Sequence, residues 1–256
     1  LTFWAKGTTT ASIGLFGFGT DFEGDKFSVG VEEINLTTTW KQYIVPIPDP
    51  TRLVQEKGMF SFSAGTSSTD GLGYTFWLDE IRFEKLGYFT QPRPTIYGGM
   101  EKEVTGYNGS EIDIKETELT LSLGNGLDVT VSAAAAYFDY TSSDTAVATV
   151  DEDGVVTVLD IGISTITASL NGIDATGSLI VESKGFFESA PIPTHAAENV
   201  ISIFSDAYDN VNIDFYNGYW KPYQTTTSAD FVYKGDNILA YENFNFVGQQ
   251  FADPLV

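Results

Sequence analysis

The feature that most constrains this chain is a period of two. Apolar residues alternate with small or polar ones through Ser12-Ile13-Gly14-Leu15-Phe16-Gly17-Phe18, Phe60-Ser61-Phe62-Ser63-Ala64 and the long run from Tyr74 to Phe83. Side chains on a strand point to opposite faces in turn, so each run offers one apolar face for burial. Clusters of Asp, Gly, Asn and Ser cut the runs at short intervals, the spacing of β-sandwiches. Helical periodicity is nearly absent. Thr194 to Phe204 has room for a helical turn, but Val200, Ile201, Ile203 and Phe204 suit a strand better. The expected fold class is all-β.

Charge and composition then remove several functions. The chain has 256 residues, which suggests about two domains. It carries 13 Lys and Arg against 35 Asp and Glu, a formal charge of −22, with one histidine and no cysteine. Nucleic acid is excluded as a partner, because phosphate binding needs a cationic patch. A disulfide scaffold, a cysteine-ligated zinc site and a cysteine nucleophile are excluded too, and any Ser-His-Asp triad would depend on His195 alone. No run of about 18 apolar residues exists to cross a membrane. Leu1 opens within an apolar segment, so the chain reads as a piece of something longer.

Aromatic content divides the sequence. Residues 1–88 hold 15 of the 36 aromatics, 89–116 three, 117–184 three and 185–256 fifteen. The third segment also sets Lys184 alone against ten acids, a net charge of −9. Gln91-Pro92-Arg93-Pro94 and Tyr107-Asn108-Gly109-Ser110 mark 89–116 as a linker, and Pro191-Ile192-Pro193 punctuates the start of the last segment.

Residues 117–184 contain Ser142-Ser143-Asp144-Thr145-Ala146-Val147-Ala148-Thr149-Val150, then Gly154-Val155-Val156-Thr157-Val158 and Gly162-Ile163-Ser164-Thr165-Ile166-Thr167-Ala168. Asp153-Gly154 is a hairpin turn that needs positive φ. These motifs resemble the bacterial Ig-like family, group 2, with Tyr140 where the family usually has Trp before Ser-Ser-Asp. The resemblance implies a small sandwich acting as a spacer in surface or secreted proteins.

The flanks resemble two incomplete jelly rolls. Pro193-Thr194-His195 followed by Val200-Ile201-Ser202-Ile203-Phe204-Ser205-Asp206-Ala207-Tyr208 is similar to the opening half of carbohydrate-binding modules in laminarinases and surface glycan-binding lipoproteins of marine Bacteroidota. Leu1 to Lys6, Thr39-Trp40-Lys41-Gln42-Tyr43 and Trp77-Leu78-Asp79-Glu80-Ile81 resemble the complementary closing half. The architecture so implied is an Ig-like β-sandwich over 117–184, between partial jelly-roll sandwiches at 1–88 and 185–256. The missing module halves would come from the same chain or a neighbouring one.

Pyranose rings stack their apolar faces on aromatic side chains, and their hydroxyls need polar partners. The densest aromatic cluster, Phe215 to Tyr223, supplies Trp220 and Tyr219 as first sugar contacts, with Tyr223 and Tyr216 beside them. Trp4, Trp77 and Trp40 occupy or adjoin strands, positions that favour core over ligand; Trp4 is kept with the sugar candidates. Trp77 and Asp79 share a face. The jelly-roll resemblance also implies a structural Ca2+, with Asp79 matching the late-strand carboxylate and Asp206 the early loop. Asp151-Glu152-Asp153 suits a solvated turn better than a calcium site. The Glu-x-Asp-x-x-Glu run of family 16 glycoside hydrolases is absent.

The expected function is therefore non-catalytic: an extracellular, cell-surface glycan-binding segment of a multimodular protein. The resemblance to laminarinase modules implies a polysaccharide of the laminarin β-1,3-glucan type, the acidic surface suits a neutral polymer over a sulfated or uronic one, and outer-membrane glycan-uptake proteins would be its partners. An accessory region of a secreted glycoside hydrolase, or a structural adhesin or stalk, are the alternatives.

Overall fold

The computed structural model describes residues 1–20, 22–87, 89–123, 126–218, 222–233 and 235–254. It is all-β: no α-helix occurs among these residues, only strands and short 3-10 turns. The chain forms two units, Leu1–Phe186 and Phe187–Val256.

In the first unit, β1 (Thr2–Gly7), β2 (Ser12–Phe18), β3 (Val29–Asn35), β4 (Lys41–Ile44), β5 (Ser61–Ala64) and β6 (Phe76–Arg82) come from the aromatic N-terminal segment. The stretch 89–116, expected to be a linker, instead contributes β7 (Thr90–Thr95), β8 (Glu101–Gly106) and β9 (Glu111–Asp113). The prolines are compatible with a strand here because β7 ends its sheet, pairing with β10 on one side and meeting only a bridge at Thr176 on the other, where the Pro94 carbonyl accepts the Thr176 N–H at 3.0 Å and Pro94 needs no N–H of its own. An edge strand can spare the N–H groups that Pro92 and Pro94 lack. Tyr107 to Ser110 is a turn as expected, closed by the Ser110 N–H on the Tyr107 carbonyl at 2.8 Å, but it joins two strands. Beyond it follow β10 (Glu118–Ser122), β11 (Asp128–Ala133), β12 (Asp139–Ser142), β13 (Ala148–Val150), β14 (Val155–Val158), β15 (Gly162–Leu170), β16 (Ile173–Asp174) and β17 (Ser178–Ser183).

The Ig-like sandwich therefore starts well before residue 117. One sheet runs β12-β15-β17-β8, with β8 parallel to β17, and β9 extends the β13-β14 pair. Its core is aliphatic, with Leu119, Val131, Val156, Val158, Ile166, Leu179 and Val181 all buried. Two polar details explain the motifs. Ser164, fully buried, lies 2.8 Å from the Ser142 hydroxyl, and its oxygen accepts the Asp144 N–H at 3.1 Å, so Ser-Ser-Asp is tied to the neighbouring strand β15. Gly154 has φ of +78°, and a Cβ there would meet the Tyr140 hydroxyl at 3.0 Å. Tyr140 itself donates to the Ala135 carbonyl at 2.8 Å, a bond that a Trp could make only through its ring N–H.

The N-terminal segment folds as a three-stranded sheet, β4-β1-β6, over the β5-β2-β3 end of a six-stranded sheet. Between the two, Phe3 packs 4.6 Å from Phe16 and 5.6 Å from Tyr43, and Phe62 lies 5.5 Å from Phe16. Full burial of a residue such as Phe3 or Phe16 contributes roughly 1.5–3 kcal/mol. The six-stranded sheet continues from β3 into β11 through the pairs Ser132↔Gly30 and Ala133↔Val29, and so into the Ig-like strands β10 and β7.

Side chains reinforce that junction. The Tyr137 hydroxyl donates to the Phe27 carbonyl at 3.0 Å, with the two rings edge to face at 5.1 Å. Arg52 donates to the Ala136 carbonyl at 3.1 Å and pairs with Asp139 at 2.8 Å. Lys26 reaches Glu152 at 2.9 Å and Asp153 at 2.6 Å, while Asn171 donates to the Pro48 carbonyl at 2.9 Å. Cations of the first segment thus meet acids of the strongly acidic one.

The second unit contains β18 (Ile213–Phe215), β19 (Thr227–Tyr233), β20 (Asp236–Glu242) and β21 (Gln250–Phe251), paired as the hairpin β19-β20 and the ribbon β18-β21. Val200 to Phe204, expected as a strand, forms only a bridge from Ser202 to Asn210. The Asn210 side chain accepts from Ser202 Oγ at 2.6 Å and donates to the Ser205 carbonyl at 3.1 Å, which closes the segment into a loop.

Candidate functional site

The most unusual surface of the first unit is the outer face of β4-β1-β6. Strand β1 alternates: Phe3 and Ala5 are buried in the core, whereas Trp4 and Lys6 point away from it, and Thr2, on their side of the strand, is covered. The register fixes their neighbours. Trp4 lies opposite Gln42 on one side and Asp79 on the other, and Lys6 lies opposite Trp77. Trp40, just before β4, continues the same register on the far side of Lys6. The face therefore presents Trp4, Trp40 and Trp77, which are 36%, 42% and 44% exposed. The expectation that Trp40 and Trp77 belong to the core is corrected. Phe3, Phe16, Tyr43 and Phe60 already fill the inner side, and alternation turns Trp77 outward together with Asp79.

Geometry then sets the size of the platform. Adjacent strands stand about 4.8 Å apart, so Trp40 and Trp77 flank Lys6 with backbones about 10 Å from each other. Trp4 sits two residues from Lys6, about 7 Å along the central strand. The Lys6 ammonium lies 5.1 Å from the centroids of both the Trp40 and the Trp77 rings. Gln42 offers a donor and an acceptor, and Asp79 a carboxylate. One Asp79 oxygen accepts the Glu80 N–H at 2.8 Å, leaving a second oxygen on an exposed side chain.

A bulge in β6 ends the face. Pairing with β1 shifts between Asp79 and Arg82, with Glu80 at φ of +51°. The extra residue bends the strand and places Arg82 across from Thr2. There Arg82 pairs with Glu80 at 2.7 Å and Glu84 at 3.4 Å, and the Thr2 hydroxyl donates to Glu84 at 2.6 Å. The Thr2 hydroxyl, followed by Arg82, holds the Glu84 carboxyl below the usual carboxylate range.

The other sugar candidates lie in the second unit. Trp220 and Tyr219 fall outside the described residues. Tyr216 is committed to structure: its hydroxyl donates to the Ile203 carbonyl at 2.9 Å, its ring meets Phe204 edge to face at 5.5 Å, and its carbonyl accepts from Tyr241 at 2.8 Å. Tyr223 is 78% exposed. Its carbonyl accepts the Asn245 side-chain amide at 2.8 Å, and Asn245 Oδ1 accepts the N–H groups of Thr225 and Thr226 at 3.0 and 3.3 Å. This network binds the Tyr223 loop to the loop carrying the exposed Phe244 and Phe246. Those two rings were missed as candidates, although Asn243-Phe244-Asn245-Phe246 directly after a strand was a visible signal.

The two metal candidates belong to different units. Asp79 is on the tryptophan face of the first unit. Both Asp206 oxygens, in the second, take Asn237: the backbone N–H at 2.7 Å and the side-chain amide at 2.8 Å. Those bonds hold the Asp206 carboxyl below its ordinary value. Among the described residues no three His, Cys, Asp or Glu side chains converge. Asp151-Glu152-Asp153 is a turn, with Asp151 Oδ1 accepting the Asp153 and Val155 N–H groups at 2.9 Å and its neighbours paired to Lys26.

No helix among the described residues is long and apolar enough to cross a membrane. Residues 110–178 match the family model of the bacterial Ig-like domain, group 2. The match begins at the turn before β9, in agreement with a sandwich that starts earlier than residue 117. A search among curated proteins found no match.

Proposed function

We propose that this chain is a non-catalytic glycan-binding segment of an extracellular surface protein, in which the β4-β1-β6 face grips a neutral polysaccharide. The observation that carries the proposal is the outward trio Trp4, Trp40 and Trp77, with Lys6, Gln42 and Asp79 between and beside the rings. Indole faces suit the apolar faces of pyranoses, and the polar side chains complement hydroxyls as donors and acceptors. A charge of −22 and Asp79 on the face itself favour an uncharged chain over a sulfated or uronic one. Laminarin-type β-1,3-glucan is the first ligand to test. The Ig-like domain fits a spacer or surface domain, and here it shares a sheet with the platform through the β3–β11 pairing.

The test is affinity electrophoresis against laminarin, mixed-linkage glucan, alginate and carrageenan. Retardation by laminarin that drops about tenfold in affinity on Trp77→Ala or Trp4→Ala, a loss of about 1.4 kcal/mol, supports the reading. Absence of retardation by every glycan, or tighter binding to alginate than to laminarin, overturns it.

A further inference from the structure

We infer that Lys6 is the positioning residue of the aromatic face, a clamp that fixes the Trp40 and Trp77 indoles before ligand arrives; its ligand, though not its geometry, rests on the glycan reading above. Lys6 occupies the middle of the central strand, with Trp40 on one side and Trp77 on the other. The chain has 35 acids, and Lys26, Arg52, Arg82, Arg93 and Lys184 pair with carboxylates, whereas Lys41, Lys57, Lys85, Lys102 and Lys115 form no ion pair among the described residues. Lys6 forms none either, although Asp79 stands one register step away: no carboxylate among the described residues comes within ion-pair distance of it. Its ammonium lies instead over both rings at the same 5.1 Å.

A half-exposed indole on an open sheet keeps rotamer freedom that a stacked ligand must remove, and that ordering weakens binding. The attraction of a cation to an indole face at an exposed site is of the same order as the ordering of one such side chain. One ammonium shared by two rings therefore orders both in advance and holds them at a set separation. The cation–π attraction uses none of the three N–H donors, which stay available to the hydroxyls of a sugar lying across the platform.

The experiment compares Lys6→Met, which keeps the stem and removes the charge, with Lys6→Arg, which keeps a cation able to stack on indoles. Near-UV circular dichroism of the free protein reads the tryptophan geometry, affinity electrophoresis on laminarin reads binding, and the urea midpoint reads folding. The expected result is a reduced tryptophan band and three- to tenfold weaker binding for Lys6→Met at an unchanged midpoint, both restored by Lys6→Arg. An unchanged tryptophan band in Lys6→Met overturns the clamp. So does an altered band with unchanged laminarin affinity, when Trp77→Ala lowers that affinity about tenfold. If the wild-type protein binds no glycan, the glycan reading fails, and the ellipticity comparison alone still decides the clamp.

Discussion

Tyr137 offers the sharpest test of the claim that the platform and the Ig-like sandwich fold as one body. Its ring is buried and packs edge to face on Phe27, and its hydroxyl donates a 3.0 Å hydrogen bond to the Phe27 carbonyl, so two interactions across the junction depend on one buried side chain. Tyr137→Phe keeps the ring and removes the hydroxyl; the loss of one hydrogen bond costs about 1 kcal/mol. Tyr137→Ala removes the ring as well, and emptying a site of that size costs about 3–5 kcal/mol. A double-mutant cycle with Phe27→Leu should return a coupling of about 0.5–1.5 kcal/mol for the ring pair. Urea denaturation followed by circular dichroism and tryptophan fluorescence measures all three. Burial raises the Tyr137 hydroxyl well above the ordinary tyrosine value of about 10. The folded protein then keeps a proton that the unfolded chain loses, so this stability is complete below about pH 10 and is lost as pH rises beyond it. Tyr137→Phe should flatten that alkaline decline in part, because Tyr140 is raised by burial too. A Tyr137→Ala cost below about 1 kcal/mol, or equal to that of Tyr137→Phe, would refute the reasoning.

Three further outcomes are expected. Gly177 has φ of +98°, and a Cβ there would stand 2.1 Å from the Ile96 carbonyl oxygen; Gly177→Ala should cost about 2–4 kcal/mol by urea denaturation, and a neutral substitution would contradict that close approach of Gly177 to the Ile96 backbone. Lys26→Met should cost about 0.5–1 kcal/mol at low salt and much less in 1 M NaCl, because its partners Glu152 and Asp153 are exposed; an undiminished cost at high salt would show that the stem, not the charge, matters. Because Asn237 depresses the Asp206 carboxyl, its contribution is present above the ordinary aspartate value of about 3.9 and is lost as pH falls through the lower folded value. An NMR titration of the Asn237 amide should show a midpoint below 3.9, and a midpoint at or above it contradicts the assignment.

Local periodicity made much of this fold legible. The alternation of β2 and β6, the Asp153-Gly154 turn and the Ser-Ser-Asp motif with its partner strand all stand in the sequence as they stand in the structure. Pro92 and Pro94 misled, because proline marks a linker and an edge strand alike, and only the sheet order tells them apart. The tryptophan face was half legible. That Trp77 and Asp79 share a face follows from period two, but which face requires knowing that Phe16 and Phe60 close the other side. Lys6 was invisible for a stronger reason: its meaning comes from two residues that lie 34 and 71 positions away along the chain and meet it only through strand pairing.

The continuity of β3 with β11 bears on how this chain can be dissected. A cut near residue 89, where the aromatic content changes, would strip the Val29–Gly30 edge of its partners at Ser132 and Ala133 and leave the Tyr137 hydroxyl without the Phe27 carbonyl. Each fragment would then carry an unpaired strand edge beside freshly bared apolar surface, the combination that drives sheets to aggregate. A fragment ending after Phe186 keeps every one of those pairs. For the N-terminal 186 residues the unit of expression, and of inheritance when such segments are shuffled between proteins, is the platform together with its Ig-like support.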